Sequence, residues 1–453
     1  MTWQFVARAA MAAPIMLAAP ARGQDAPPPS TPPTQQELED IRTRLKRLEQ
    51  QHEADQKRIA ELEASRPDAG QAQEDVRRLW EQAWPVTDAT AGPGTGFSPQ
   101  GNLFNPSITA FGDFGVSYST NEDNKALRRF NFRETELDLR AAIAPFADGV
   151  LIIAIGEEVE TEDGETSADI EFELEEAYLT IHDLPGDLIV RGGKFRNNFG
   201  RANLLHTHDL PQVTRPLALA AFFGPEGLAT IGGTASWLVP NPWDQYIELN
   251  VDVVNADGGE ESPILNDAGN DNPAVGAHLK WFTDLGDDAT FELGGSYLYG
   301  HTSDDDDFDA NIFGVDATWQ WINPQAPDSE SLLAQAEFFW AANDIEDSAF
   351  GTFRNNSFGF YAFVQYQWLK DWYAGVRYDQ TEFPSVEDHA PGDMDWAISP
   401  YITWYPAEFL RLRLEYQHRD FEIDGVGDDE DNILFQVTFV IGAHPAHPYW
   451  VNR

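Results

Sequence analysis

From about Ile108 to Ile441, short segments of roughly ten residues follow one another, and most alternate apolar with polar side chains. In the last segment Ile433, Phe435, Val437, Phe439 and Ile441 share one face. Before it, Leu410, Leu412, Leu414 and Tyr416 alternate with Arg411, Arg413, Glu415 and Gln417. Trp372, Ala374, Val376 and Tyr378 alternate with Tyr373, Gly375, Arg377 and Asp379, and Ile170, Phe172 and Leu174 with Glu171, Glu173 and Glu175. A period of two is that of a strand with one apolar and one polar face. The connections alternate as well. Tight pieces (Pro145 to Asp148, Asp183 to Gly186, Asp284 to Asp288, Lys370-Asp371, Pro406 to Phe409) fall at every second junction. The others hold the acidic stretches EVETEDGET, NADGGEESPILNDAGNDNP, TSDDDDFDA and DGVGDDEDN. A soluble sandwich has no reason to sort its loops this way. The pattern predicts an all-β transmembrane barrel of about 16 antiparallel strands, with tight turns on the periplasmic side and acidic loops outside.

Ahead of the barrel the character changes. Residues 1–21 carry Arg8, an Ala-rich apolar core and the small-residue site Ala19-Pro20-Ala21, the pattern of a secretory signal peptide cleaved near Ala21 to Gln24. Residues 22–34 are a Pro-rich spacer. Residues 35–84 form a helical coiled-coil region: Leu38, Leu45, His52, Ile59 and Arg66 mark one seam, and Ile41, Leu48, Asp55 and Leu62 the other. A Gly/Pro linker over 85–101 leads into the barrel at 102–453.

Composition sharpens this picture. The apolar stretch at the N-terminus is too short to span, so no helical membrane protein is implied. The 76 acidic residues against 29 basic ones, net −47, exclude nucleic acid as a partner. Yet 12% of the chain is aromatic, with 14 Trp, which is too much for disorder and suits interfacial girdles. There is no cysteine, hence no disulfide or thiolate site. No nucleophile–base pair or phosphate-binding glycine loop stands out, so no enzyme is expected and no cofactor.

The longest barrel loop, 197–226, differs from its neighbours. It is apolar, with Leu204-Leu205, Leu217 to Ala220 and Phe222-Phe223. Exposed in water, that surface would be costly, so the loop is expected to fold into the lumen and narrow it. The constriction would then gather Arg191, Lys194, Arg196, Arg201 and Arg215, with Glu171 and Glu173 on one wall and Arg377, Arg411 and Arg413 on another. Glu134, Glu136, Asp138, Glu175 and Arg419 share the inward parity. Lys194 and Arg196 have the opposite parity to Arg191, which points to a bulge or a misplaced register.

The run RGGKFRNNFGR (Arg191 to Arg201), followed by DLPQVTRPLALAAFFGPEG (Asp209 to Gly227), resembles the phosphate-selective porin O and P family of outer-membrane porins. The resemblance implies a sixteen-stranded trimeric porin of the Gram-negative outer membrane, with a basic, lysine-lined lumen for phosphate or another oxyanion. The chain departs from it in having few lysines on its strands.

The function expected is a water-filled channel for passive diffusion of small solutes or ions, in a homotrimer contacting outer-membrane lipid and lipopolysaccharide. Two readings compete. His206, His208 and Asp209 (HTHD) carry ligands suited to zinc, as in a divalent-metal uptake protein. The coil, in the periplasm, could instead serve a cell-envelope tether. Asp304 to Asp307 and Gly427 to Asp431 would hold calcium or magnesium only diffusely, lacking a dedicated ligand spacing.

Overall fold

The computed structural model describes residues 106–442, apart from 123, 163–164, 259–263, 266–272, 303–307, 348–350, 386–388 and 424. The expected signal peptide, spacer, coiled coil and linker lie outside the described residues. Sixteen strands close into one barrel. The first four are β1 (Ser107–Ser119), β2 (Phe130–Ala144), β3 (Ala147–Glu162) and β4 (Glu165–Leu184). Then come β5 (Leu188–Arg196), β6 (Ala229–Leu238), β7 (Tyr246–Val254) and β8 (Ala274–Leu285). The third quarter is β9 (Ala289–His301), β10 (Asp309–Ile322), β11 (Ser331–Asp347) and β12 (Gly351–Leu369). The last is β13 (Trp372–Glu382), β14 (Met394–Ala407), β15 (Leu410–Ile423) and β16 (Val426–Gly442).

Every strand pairs antiparallel with its sequence neighbours, and β1 closes on β16 from Thr109↔Gly442 to Ser119↔Asn432. Closure leaves no edge with unpaired backbone groups, which lipid could not satisfy. The alternation sets the faces. On β16, Ile433, Phe435 and Ile441 are exposed on the outer wall while Asn432, Gln436 and Thr438 are buried inside. On β13, Val376 and Tyr378 face out and Arg377 and Asp379 face in. Tryptophans gather at the strand ends near the tight turns, where Trp372 and Trp404 stack with ring centres 5.1 Å apart; such rings favour the membrane interface.

Two acidic stretches are not the long loops expected. β3 and β4 pair out to Glu162↔Glu165, and β15 and β16 to Ile423↔Val426. EVETEDGET and DGVGDDEDN are thus mostly strand, because a two-stranded ladder extends past the barrel rim. The long segment between β5 and β6 is a true loop, spanning 197–228, and contains the short helix α1 (Leu217–Phe223). Its Phe199, Leu210, Leu219, Phe222 and Phe223 pack with the wall residues Leu298, Ile312, Phe339, Tyr361 and Phe363 in one buried cluster. Each such side chain contributes about 1.5–3 kcal/mol by leaving water. The apolar composition therefore drives the loop inward, as the sequence suggests.

Candidate functional site: the inward loop and the wall that holds it

The loop leaves β5 at Arg196 and turns at Gly200, whose φ of +59° suits glycine. A Cβ there would also collide with the Glu337 carboxylate of β11. That approach lets Glu337 Oε1 accept from the backbone N–H groups of Arg201 (3.1 Å) and Ala202 (2.8 Å). Asp252 of β7 accepts likewise from the Asn198 N–H at 2.9 Å. Farther round, the wall grips the loop with guanidinium groups. Arg377 of β13 donates to the Thr214 carbonyl (2.6 Å) and hydroxyl (2.7 Å), and is itself fixed by Asp379 at 2.6 Å. Arg413 of β15 donates to the carbonyls of Leu210 and Gln212, and Arg411 to that of His208. Glu415 accepts from the N–H of Val213 (2.5 Å) and from the Thr214 hydroxyl (2.5 Å). Irregular backbone buried in a barrel needs such partners for each polar group.

On the other side the loop meets carboxylates. Glu134 and Glu136 come from β2. Glu175 and Glu176 come from β4, where the register slips between Ile152 and Ile153. That bulge turns two consecutive residues inward, so Glu175 and Glu176 are both buried. His206 Nδ1 lies 2.9 Å from Glu175 Oε2 and 3.4 Å from Glu136 Oε2, and its Nε2 is 3.3 Å from Glu176 Oε1. His208 Nδ1 lies 3.3 Å from Glu136 Oε2, with its ring stacked on Phe111 at 4.4 Å. Burial and the Arg196 guanidinium pull His206 down, but Glu175 and Glu136 outweigh them and hold it well above the ordinary imidazole range. Burial pushes His208 down to about 4, and Arg215 down to about 10.

The residues expected at a constriction separate into three groups. Arg196, Arg201, Arg215, Arg377, Arg411 and Arg413 are all at the loop. They act as its fastenings more than as a charged lining: Arg196 reaches the Glu226 carbonyl and Glu175, Arg201 reaches Glu292, and Arg215 donates to the Thr207 hydroxyl at 3.1 Å. Arg191 faces the lumen, stacked 4.3 Å over the Tyr178 ring. Lys194, Glu171 and Glu173 are not brought to the narrowest part. Lys194 sits in a register row with Ile231 and Ala177, and ion-pairs with Glu173 at 3.3 Å; Glu171 and Glu173 are exposed. The parity conflict at Lys194 resolves without a bulge in β5: the lysine faces out, and Arg196 turns in because the strand ends there.

HTHD is likewise divided. His206 and His208 join the buried carboxylates, whereas Asp209 stands off at 3.7 Å from His208 Nε2. Sequence reasoning did not single out Glu176, Glu337, Asp252 or Glu292. Glu176 was hidden by the bulge, and the others are acidic residues on inward-facing positions whose partners include loop backbone N–H groups or a loop arginine.

No family model matches the chain. An "Uncharacterized protein" of Aquifex aeolicus (strain VF5) is 30% identical over 353 residues, covering 71% of this chain and 70% of that one. Among solved structures, the high-pH structure of Pseudomonas putida OprB superposes with a TM-score of 0.50 at 11% identity, over 74% of this chain and 94% of that one. The outer membrane channel DcaP of Acinetobacter baumannii gives 0.48 at 13% identity, over 74% and 96%. The likeness to OprB is one of barrel fold.

Proposed function

The chain belongs to the family of the Aquifex aeolicus protein, and we propose that it is an outer-membrane porin, a water-filled channel for passive diffusion of small hydrophilic solutes or ions. The observation that carries this reading is a closed barrel with an apolar outer wall and a charged inner one, narrowed by the 197–228 loop folded inside. The porin-like barrel and the expected coil also suit a homotrimer embedded in lipid and lipopolysaccharide.

Selectivity is read as a weak preference for cations. Phosphate, which the family resemblance implies, would need free cationic groups in the lumen. Between 102 and 453 lysine occurs only at Lys125, Lys194, Lys280 and Lys370. Lys194 and Lys280 are paired with Glu173 and Glu248, and Lys370 stands at a tight turn. Arg377, Arg411 and Arg413 are engaged with loop carbonyls, and Arg419 with Asp395. The acidic outer loops add a field screened within about 8 Å at physiological salt. In planar bilayers with asymmetric potassium chloride, the reversal potential should show cation preference at low salt that fades as salt rises. Replacing Asp304 to Asp307 with Asn should weaken it at low salt only. A strong anion preference with tight block by phosphate would overturn this reading and favour the oxyanion channel.

A further inference from the structure

We propose that Glu136 of β2, Glu175 of β4 and His206 of the inward loop bind one divalent transition-metal cation of zinc's class. One ligand atom from each of the three lies within 4.8 Å of the others, and Glu134, Glu136 and His208 form a second such triad sharing Glu136. The separations of His206 Nδ1 from Glu175 Oε2 (2.9 Å) and Glu136 Oε2 (3.4 Å) are near the ~3.3–3.4 Å edge of a tetrahedron with bonds of about 2.0–2.1 Å. Mixed imidazole and carboxylate donors suit zinc-like ions, whereas calcium and magnesium take oxygen alone.

The second observation is that buried atoms aimed into this space have no hydrogen-bond partner other than the histidine and carboxylate atoms of the cluster itself. Glu136 Oε2, Glu175 Oε2 and His208 Nδ1 are all in this state, on side chains no more than 4% exposed. A buried acceptor left unsatisfied costs about 1–3 kcal/mol, more if charged. The donor set agrees: four carboxyl groups, Glu134, Glu136, Glu175 and Glu176, outnumber the cationic groups beside them, Arg196 and His206. Arg196 Nη2 engages the other oxygen of Glu175, Oε1, at 3.2 Å, leaving Oε2 for the ion. It also stands 3.3 Å from His206 Nδ1, and the ion would displace that contact. Glu176, on His206 Nε2, is placed as the outer carboxylate that orients a metal-bound imidazole. Such an ion would tie the loop to two wall strands at once. The inference stands apart from permeation: no conductance result bears on it.

The test uses the full chain, folded in detergent, stripped with chelator and titrated with cobalt(II). Because the site is closed, a parallel sample is refolded with cobalt(II) present. One equivalent per chain with the absorption of tetrahedral cobalt, displaced by zinc, is expected. His206→Ala should abolish it, and Glu136→Gln should weaken it at least about tenfold. Asp304 to Asp307→Asn, which removes diffuse outer binding, should leave it intact. Heat-modifiable gel mobility reports folding; if His206→Ala does not fold, Glu136→Gln decides. No tetrahedral cobalt after either addition, or binding undiminished in a folded Glu136→Gln or His206→Ala barrel, would overturn the proposal.

Discussion

The inward loop is held on two sides by opposite chemistry. Against β13 and β15, wall arginines meet backbone carbonyls, and Glu415 meets backbone N–H groups. Most donors find acceptors, with Arg411 Nε and Arg413 Nη2 left over, and Asp379 neutralises Arg377. Against β2 and β4, four carboxylates crowd two histidines, and several buried atoms have no hydrogen-bond partner. The first side is a seam closed by the chain's own groups, loop backbone against wall guanidinium and carboxylate. The second is stable only with added positive charge, whether a proton on His206 or a bound cation. One loop can thus carry both a structural anchor and a ligand-dependent one.

Breaking the closed seam should have the largest effect. Arg377→Met strands a buried Asp379 carboxylate and frees the Thr214 carbonyl, at a cost of about 3–5 kcal/mol. Unfolding in urea, followed by gel mobility, should show that loss, with single-channel conductance rising several-fold as the loop swings free. Glu415→Gln keeps the shape but removes the charge that accepts three loop hydrogen bonds. It should cost about 1.5–3 kcal/mol, as bonds to charged groups do. The contrast is sharpened by Glu136→Gln in metal-free protein. Removing one of four crowded carboxylates also relieves repulsion, so stability should stay within about 1 kcal/mol of the parent. A loss as large as that of Arg377→Met would mean that the two sides do not differ. Smallest of all, Lys194→Met breaks a partly exposed pair and should cost about 0.2–1 kcal/mol, with conductance unchanged.

The strand order, the faces and the inward fold of the loop were legible because a barrel repeats one rule, apolar out and polar in. Leu217 to Phe223 announced themselves as buried by an apolar surface too large to leave in water, for which the barrel interior is the nearest cover. What the wall charges do was not legible. Arg377, Arg411 and Arg413 were correctly placed inside by parity, but their partners are main-chain carbonyls, which no side-chain pattern displays. Glu175 and Glu176 show the limit of parity itself. One inserted residue inverts the alternation, so Glu176, of opposite parity to Glu175, joins the buried cluster. Likewise, acidic stretches look like loops, although ladder hydrogen bonds carry β3–β4 and β15–β16 beyond the rim regardless of side-chain charge.

The position of the loop inside the lumen is the central claim, and a cysteine-free chain allows a clean test of it. A Cβ built on Gly359 of β12 falls 2.9 Å from the Ala218 Cβ of α1, short of the roughly 3.5–4.5 Å span of a disulfide, so α1 must yield by about 0.6 Å or more to admit one. Ala218→Cys with Gly359→Cys should therefore cross-link on mild oxidation of the folded barrel. Conductance should be the same before and after reduction, because the bond only records where the loop already sits. Failure to cross-link in folded protein, or a conductance that rises sharply on reduction, would contradict a loop that rests against β12 within the pore.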